Sequence, residues 1–529
     1  MSKKSIVLTL VSHQGFSRHS DGDVCCPWNT SLFSLITDTY LPLLNMFANL
    51  DAEGVPFKIS MVFTPTLCSL LDDPVLQERY IAYLEGLIKL GEAEVQRTKA
   101  DPEVNKVAAA YLDKLIRNKR DYIEVFECNI LSKFAYYAKK GNVELLATSG
   151  TAAFLPHYAD MKEAINAQIE TGLISHKYYF HIAPEGFWLP YMGYVPGLEK
   201  NIKSYGFTYT ILDTHGLLFA NPVPQKGIFS PVRTGNSLVL FGRDSETPDD
   251  LFGENGYSTN SVYRNQNRDI GFERTTEELS DVLDESKSRI ATGFKYWAGQ
   301  DGLENTTVYD VEKAQSQILK DAESFIAKKT DKLNQASDIL SDAPVSLVCT
   351  LHTHQLGQTW YEGIDWLEQV IRQVAENENV SLDHCSALIE NQFDLEKIEP
   401  FVSSSNGTGY GEDFLDNKNG WMLRYVRKAT ERMIDLGQRF SDDTGLKARS
   451  LNLAAKEVLL AQSADWAKMI HDEINAEYAE SRFRDSVAGF STVYDSLGSN
   501  SISTEWLTRL EKERLLFPWM NYRVFSPKK

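Results

Sequence analysis

The chain has 529 residues, of which 43% are hydrophobic and 11% aromatic, so it is too apolar for a disordered protein and long enough for about two to four globular domains. Its formal net charge is -19. A surface this acidic repels phosphate backbones and anionic lipids, which argues against nucleic-acid and membrane-surface partners, whereas a neutral ligand meets no such repulsion.

Cysteine usage and hydropathy point to a cytoplasmic location. Six cysteines in a chain of this length contain no C-x-x-C pair and are too few for a disulfide framework. The apolar run near the N-terminus covers residues 6–11 and is shorter than the ~7–15 residues of a secretory signal. No run reaches the ~20 apolar residues that would span a bilayer. We therefore expect a soluble, cytoplasmic protein.

Short apolar runs predict the strands of a buried sheet. They cover residues 6–11, 57–63, 143–148, 206–212, 238–241 and 345–351. Nearly continuous apolar runs are typical of parallel strands that are covered on both faces. Helical patterns over residues 161–171 and 286–297 lie between them. This alternation of strands and helices indicates an α/β fold.

Two further regions have helical character. Residues 75–140 form a charged segment with Tyr, Leu and Ile at helical spacing, which predicts an inserted pair of amphipathic helices. From about Gly420 the strand-like runs stop, and good helix formers with helical periodicity predict a C-terminal helical domain. Between them, residues 403–411 are rich in Ser and Gly and predict either a linker or a pocket loop.

Aromatic and polar residues are concentrated just after the predicted strands. In parallel α/β folds this is the edge of the sheet where ligands bind. The residues are His13, Trp188, Tyr191, Asp213, His215, Arg243, His352, His354 and Trp360. Indole rings stack on the apolar faces of sugars, and Arg, His and Asp bond to hydroxyl groups. Since neither G-x-x-x-x-G-K-[ST] nor G-x-G-x-x-G is present, the pattern favours a sugar cleft over a phosphate cradle.

Several long motifs resemble glycoside hydrolase family 57, in its α-glucan branching-enzyme and amylase-like branch. They include GFWLPYMGYVPGLEKNIKSYGFTYTILDTHG, FGRDSETPDDLFGENGYSTNSVYRNQNRDIGFE, ATGFKYWAG, GQTWYEG and LNLAAKEVLLAQSADW. The motifs run in order to about Phe483 and so cover nearly the whole chain. The resemblance implies an incomplete (β/α)7 barrel over residues 1–400, with the helical insert at about 75–140. It also implies an all-helical C-terminal domain over residues 401–529 that closes over the cleft.

The resemblance also implies which residues the family's chemistry would require. Retaining glycosyl transfer uses a carboxylate nucleophile and a carboxylic acid/base ~5–5.5 Å apart. The family's Glu nucleophile falls on Tyr191, and its Asp acid/base falls on His352. Three other family residues, two His and one Trp, fall on Val11, Ala152 and Ser405. Both catalytic carboxylates are thus substituted in this chain.

Other family positions are retained, and we expect them to bind substrate. They are His13, Trp188, Asp213, His215, Arg243, Trp360 and Asp465, of which Arg243 and Asp465 match positions that contact glucan in branching enzymes. The first hypothesis is therefore a binding protein for an α-glucan or maltooligosaccharide. It would be related to 1,4-α-glucan branching enzymes, would lack their ordinary activity and would use no cofactor. The oligomeric state stays open.

Three alternatives remain at this point. The first is an active carbohydrate enzyme with Tyr191 as nucleophile and His352 as acid/base, although a phenol with a pKa near ~10 needs a base or cation beside it. The second is metal-dependent carbohydrate chemistry at His13, His352 and His354. The third is a structural partner of another glucan enzyme.

Overall fold

The core of the fold is one curled sheet. A computed structural model describes residues 3–18, 27–280, 289–299, 307–341, 343–499 and 501–528. Its strands are β1 (Lys4–Ser12), β2 (Ile59–Phe63), β3 (Val143–Thr148), β4 (Gly186–Trp188), β5 (Tyr209–Leu212), β6 (Val232–Arg233), β7 (Val239–Gly242), β8 (Val345–His352) and β9 (Ser381–Leu382). Strand β1 is buried along nearly its whole length, because other elements cover both faces of the sheet.

The strand order shows how the sheet curls. The order is β6-β7-β5-β4-β3-β2-β1-β8, with β9 beside β1. Neighbours are parallel, except that β6 runs antiparallel to β7. The two sides of the curl meet where the amide of Asp244, just after β7, donates to the carbonyl of Val348 in β8 at 2.7 Å. This single bridge confirms the expected incomplete (β/α)7 barrel.

The helices surround this sheet and form the C-terminal part of the chain. They are α1 (Pro27–Leu35), α2 (Leu41–Glu53), α3 (Pro65–Leu71), α4 (Pro74–Arg97), α5 (Pro102–Arg120), α6 (Ile130–Lys140), α7 (Lys162–Phe180), α8 (Leu198–Ser204), α9 (Thr214–Leu218), α10 (Thr247–Phe252), α11 (Ile270–Glu273), α12 (Val311–Ile339), α13 (Gly363–Ala375), α14 (Gly420–Arg439), α15 (Gly445–Ala461), α16 (Asp465–His471), α17 (Ala476–Ser499) and α18 (Thr504–Glu513). No helix in the described ranges is long and apolar enough to cross a membrane.

The predicted elements are largely present, with one error. All six apolar runs contain strands, the insert at 75–140 contains α4, α5 and α6, and the helical run at 161–171 belongs to α7. The helix predicted over 286–297 is wrong for residues 289–297, and residues 286–288 lie outside the described part. The Asp269 carboxylate accepts the amides of Thr292 and Gly293, and Gly293 has a φ of +81°, so this segment is held as a loop.

A buried ion cluster stabilises the closure of the barrel. Asp244 is fully buried, and its two carboxylate oxygens accept Lys329 at 2.5 Å and Lys332 at 2.8 Å, both from α12. Thr247 donates to the same carboxylate at 2.7 Å. Burial would raise the pKa of Asp244, but the Lys329 charge and these hydrogen bonds outweigh it and lower the pKa to about 2. The residue whose amide joins β7 to β8 is therefore also fixed through its side chain.

We predict that Asp244→Asn destabilises the protein. Removing one partner of a buried ion pair leaves Lys329 undercompensated and costs roughly 3 kcal/mol, which lowers the midpoint of urea denaturation. Because the folded pKa of Asp244 is depressed, its contribution is complete above about pH 4 and is lost as the pH falls toward 2. The difference between wild type and variant should shrink over that window. The control is Asp331→Asn, at an exposed site on α12, the helix that carries Lys329. Equal losses of stability in the two variants would contradict the prediction.

Candidate functional site

A cavity of about 220 Å³ opens at the edge of the barrel where the parallel strands end. Six of the eight parallel strands place a residue on its wall within three positions of their last residue. These residues are His13 after β1, Thr64 after β2, Thr148 of β3, Tyr191 after β4, Arg243 after β7 and His352 of β8. The C-terminal edge of the sheet is therefore the candidate site, as expected for this class of fold.

The five positions named above as replaced, on the family resemblance, line this one cavity. Val11, Ala152, Tyr191, His352 and Ser405 all lie on its wall. They come from five separate parts of the chain, and the barrel brings them together. No Asp or Glu is among the described residues that line the cavity.

Tyr191 keeps a strained backbone. It lies in the short turn Pro190–Met192 after β4, with a φ of +54°, and Met192 follows with a φ of +52°. Two successive non-glycine residues with positive φ are uncommon and cost free energy. The carbonyl of Tyr191 accepts both the amide and the hydroxyl of Ser405, at 2.8 and 2.9 Å. These bonds hold the turn so that its side chain faces the cavity.

Asp465, the first residue of α16, ties the C-terminal helices to the barrel edge. One of its carboxylate oxygens accepts the phenol of Tyr191 at 2.7 Å and lies 2.8 Å from Nε2 of His13. The other accepts the hydroxyl of Ser463 at 2.8 Å. The carboxylate thus contacts Tyr191 and His13 of the barrel and also Ser463, which lies just before α16.

The shared carboxylate sets the protonation of both partners. Burial raises the pKa of Tyr191 well above its usual value, and the Asp465 charge raises it further. Burial alone would lower the pKa of His13, but the charge of Asp465 and the hydrogen bond to it prevail and raise the pKa. Burial would also raise the pKa of Asp465, yet His13 and the two hydroxyl donors lower it. At neutral pH the phenol is therefore un-ionised and donates to a carboxylate.

His352 faces the cavity as a neutral imidazole. Its side chain is exposed to the cavity space, but protein surrounds that space. This burial, together with the charges on His354, His13 and Arg243, lowers the pKa of His352 to about 3. Burial and His13 likewise lower the pKa of His354 to about 4, and the two rings lie 5.6 Å apart. His352 is therefore neutral near pH 7.

Asp213, His215 and Arg243 form a chain of contacts beside the cavity. Asp213 Oδ2 lies 2.5 Å from Arg243 Nη2, and Asp213 Oδ1 lies 2.8 Å from Nδ1 of His215. Nε2 of His215 lies 2.8 Å from the carbonyl of Gly409. Arg243 itself lines the cavity, whereas Asp213 and His215 lie behind it and anchor the 403–411 segment. That segment is a pocket loop, since Ser405 and Asn406 are on the cavity wall.

The two predicted tryptophans are placed differently. Trp188 lines the cavity, and its carbonyl accepts the hydroxyl of Thr148 at 2.8 Å. Trp360 is only 2% exposed and packs in the core against Tyr263 and Trp366, with ring centroids 5.5 and 5.6 Å away. Trp360 is not on the cavity wall, because the turn after β8 directs its ring back toward the barrel's outer layer of helices.

A second cavity of about 310 Å³ adjoins the first and shares His13 and Tyr191 with it. It is also lined by His354, Gln358, Trp466 and Asp465. The strand-end rule that singled out His13 applies equally to Thr64 and Thr148, which the sequence reasoning missed although both strands had been predicted. Gln355, Ser405 and Asn406 lie in turns and loops, where no periodic pattern marks them.

The geometry gives no support to a metal centre. Within the part of the chain that the structure describes, no group of three or more His, Cys, Asp or Glu side chains could hold a metal ion. Both ring nitrogens of His13 already have hydrogen-bond partners: Nδ1 lies 3.0 Å from the Thr64 hydroxyl, and Nε2 lies 2.8 Å from the Asp465 carboxylate. The described wall combines uncharged hydrogen-bonding groups and aromatic faces with Arg243 and with His13, which is paired with Asp465. This set of groups suits a polyhydroxylated neutral ligand.

We predict that Asp465→Asn reverses the upward shift in the pKa of His13. Without the carboxylate charge, burial is the dominant influence, so the pKa of His13 should fall below its usual value of about 6.5. An NMR titration of histidine-labelled protein measures this directly. Asp472→Asn removes an exposed charge from the wall of the second cavity and should leave the pKa of His13 above its usual value. A raised pKa that survives in Asp465→Asn would refute the assignment.

Comparisons with known proteins agree with this geometry. The sequence pattern of glycosyl hydrolase family 57 matches residues 7–400, and that of the 1,4-alpha-glucan branching enzyme C-terminal region matches residues 425–525. A 1,4-alpha-glucan branching enzyme of Thermococcus kodakarensis is 24% identical over 484 residues, which cover 85% of this chain and 68% of that protein.

Solved structures show the same fold over the whole chain. The alpha-amylase AmyC from Thermotoga maritima is 30% identical and superimposes with a TM-score of 0.93 over 100% of both chains. A branching enzyme from Pyrococcus horikoshii is 21% identical, with a TM-score of 0.86 over 100% of this chain and 97% of that one. A catalytic domain and a C-terminal region that both match in order, on a shared barrel, show that this chain belongs to glycosyl hydrolase family 57.

Proposed function

We propose that this protein binds α-glucan or maltooligosaccharide chains and lacks the family's ordinary retaining chemistry. The observation that carries the proposal is the composition of the barrel-edge cavity. It contains both positions of the family's catalytic pair, occupied by Tyr191 and His352, and no carboxylate among its described lining residues. The relatives named above are called α-glucan branching enzymes and an α-amylase, which supports an α-glucan as ligand.

The electrostatics of the cavity oppose glycosyl transfer. The transition state has oxocarbenium character and is stabilised by nearby negative charge. Here the wall presents the un-ionised phenol of Tyr191, the neutral imidazole of His352, the guanidinium of Arg243 and His13, whose pKa Asp465 raises. A neutral imidazole with a pKa of about 3 is also a poor proton donor to a glycosidic oxygen near neutral pH.

The same wall suits the binding of a neutral sugar. Trp188 and Tyr191 offer aromatic faces, and Gln355, Asn406 and Arg243 offer hydrogen bonds to hydroxyl groups. Because the second cavity shares His13 and Tyr191 with the first, we propose that successive sugar units of one chain occupy the two cavities. Asp465 places α16 over this edge, which supports a division into a barrel, residues 1–400, and a helical domain, residues 401–529, that covers the cleft.

One observation favours a second candidate, an enzyme with Tyr191 as nucleophile. The Asp465 carboxylate accepts a hydrogen bond from the Tyr191 phenol at 2.7 Å, so the phenol has the adjacent base that such a nucleophile needs. The raised pKa of Tyr191 and the lowered pKa of Asp465 both act against this proton transfer. We therefore rank this function second, with His352 as its acid/base.

Calorimetric titration with maltoheptaose tests the binding function. We expect saturable binding to the wild type and a loss of affinity of at least about tenfold in His352→Trp, because the indole fills space in the cavity. Tyr136→Trp makes a similar change at a site that is 53% exposed on α6 and should bind like the wild type. Absence of binding to the wild type, or equal binding by both variants, would contradict the proposal.

Incubation with amylose separates the two candidates. The proposal predicts no branching or hydrolysis above the uncatalysed rate by the wild type or by Tyr191→Phe, since loss of the catalytic groups removes several orders of magnitude in rate. Activity in the wild type that Tyr191→Phe abolishes would establish the second candidate instead.

A further inference from the structure

A separate cavity of about 380 Å³ lies between the helical insert and the loop that contains Asp269. Its wall comes from α4 and α5 on one side and from residues 264–272 and 289–295 on the other. The volume falls in the range of small-molecule sites, roughly 300–1,000 Å³. It shares Ser31 and Gln358 with the second cavity, but none of the candidate glucan-binding residues lines it.

Four cations line this cavity in a chain whose net charge is -19. They are Lys114, Arg264, Arg289 and Lys295. Among the described residues of this wall there are two carboxylates, Asp38 and Asp269, so positive charge is in excess by two. Burial, followed by the Arg264 charge, lowers the pKa of Lys295 to about 8.

The two carboxylates are already engaged. Asp38 accepts Lys114 at 2.9 Å. Asp269 accepts the backbone amides of Gly271, Thr292 and Gly293, and also the Thr292 hydroxyl at 2.7 Å. Its oxygens are therefore used to hold the loop. Within the described residues, the side-chain hydrogen bonds of Arg264, Arg289 and Lys295 are to uncharged acceptors.

The side chains of these three cations can still donate hydrogen bonds to a ligand in the cavity. Arg264 is 2% exposed, stacks 3.8 Å from the Tyr361 ring and donates to the Tyr111 hydroxyl and the Gly293 carbonyl, while its Nε–H has no partner in the described structure. Lys295 donates to the carbonyl of Gln266 at 2.8 Å. Arg289 donates to the carbonyl of Gly271 at 3.1 Å. An anion in the cavity would be a stronger acceptor for these groups than the carbonyls.

The rest of the wall suits a small polar organic group. Tyr83 and Tyr111 present aromatic faces, and Ser34, Thr37 and Gln358 present hydroxyl and amide groups. A phosphate monoester carries about two negative charges and several strong acceptor oxygens, which matches the excess of two positive charges and the three cations without a carboxylate partner. We propose that this cavity binds a small sugar phosphate, at a site distinct from the glucan cleft.

Equilibrium binding of glucose 1-phosphate to the full-length protein tests the proposal. We expect saturable binding that weakens at least about tenfold in Lys295→Gln and in Arg289→Gln, since each removes a charged donor. Lys313→Gln, at a side chain that is 75% exposed on α12, should bind like the wild type. A matching circular dichroism spectrum and thermal midpoint will show that each variant is folded.

The probes distinguish the possible ligands. Binding of glucose 1-phosphate that persists in His352→Trp supports a site separate from the glucan cleft, and its loss there overturns the proposal. If glucose binds as tightly as glucose 1-phosphate, the phosphate group contributes nothing to binding and the proposal is wrong. Inorganic phosphate or adenosine monophosphate that binds as tightly as glucose 1-phosphate would overturn the assignment to sugar phosphates, as would unchanged binding in both cavity variants.

Discussion

The Asp465 carboxylate is the contact on which the candidate site depends. It holds Tyr191 and His13, which follow different strands, and it comes from a helix about 270 residues beyond Tyr191 in the chain. A buried carboxylate is stable as an anion only where hydrogen bonds or positive charge compensate its desolvation. Here His13 supplies the charge, and Tyr191 and Ser463 supply hydrogen bonds. The phenol of Tyr191 therefore lines the cavity and also stabilises the contact between the barrel and the helical region.

This double role explains how the site is held together. The turn at Tyr191 is strained, with φ values of +54° and +52° at successive residues. Ser405 holds that turn through the carbonyl of Tyr191. The turn after β4 is therefore fixed twice, by Ser405 through its backbone and by Asp465 through its side chain.

Much of this architecture could be predicted from the sequence, because buried parallel strands give long apolar runs and ligand sites lie at their C-terminal ends. That rule located His13, Arg243 and His352 correctly on one wall. It failed for Trp360, since a position after a strand does not fix the direction of a ring. It also could not reveal the bond from Asp465 to Tyr191, or the loop that Asp269 holds where a helix had been predicted. Both depend on contacts between distant residues, which no local pattern encodes.

A crystal structure of the protein after long incubation with maltoheptaose tests most directly whether the cavity binds glucan without reacting with it. We predict an intact, non-covalently bound oligosaccharide in the cavity, with a sugar ring between Trp188, Tyr191 and His352. Density for a covalent bond from a sugar to the Tyr191 oxygen, a cleaved or branched product, or an empty cavity would contradict it.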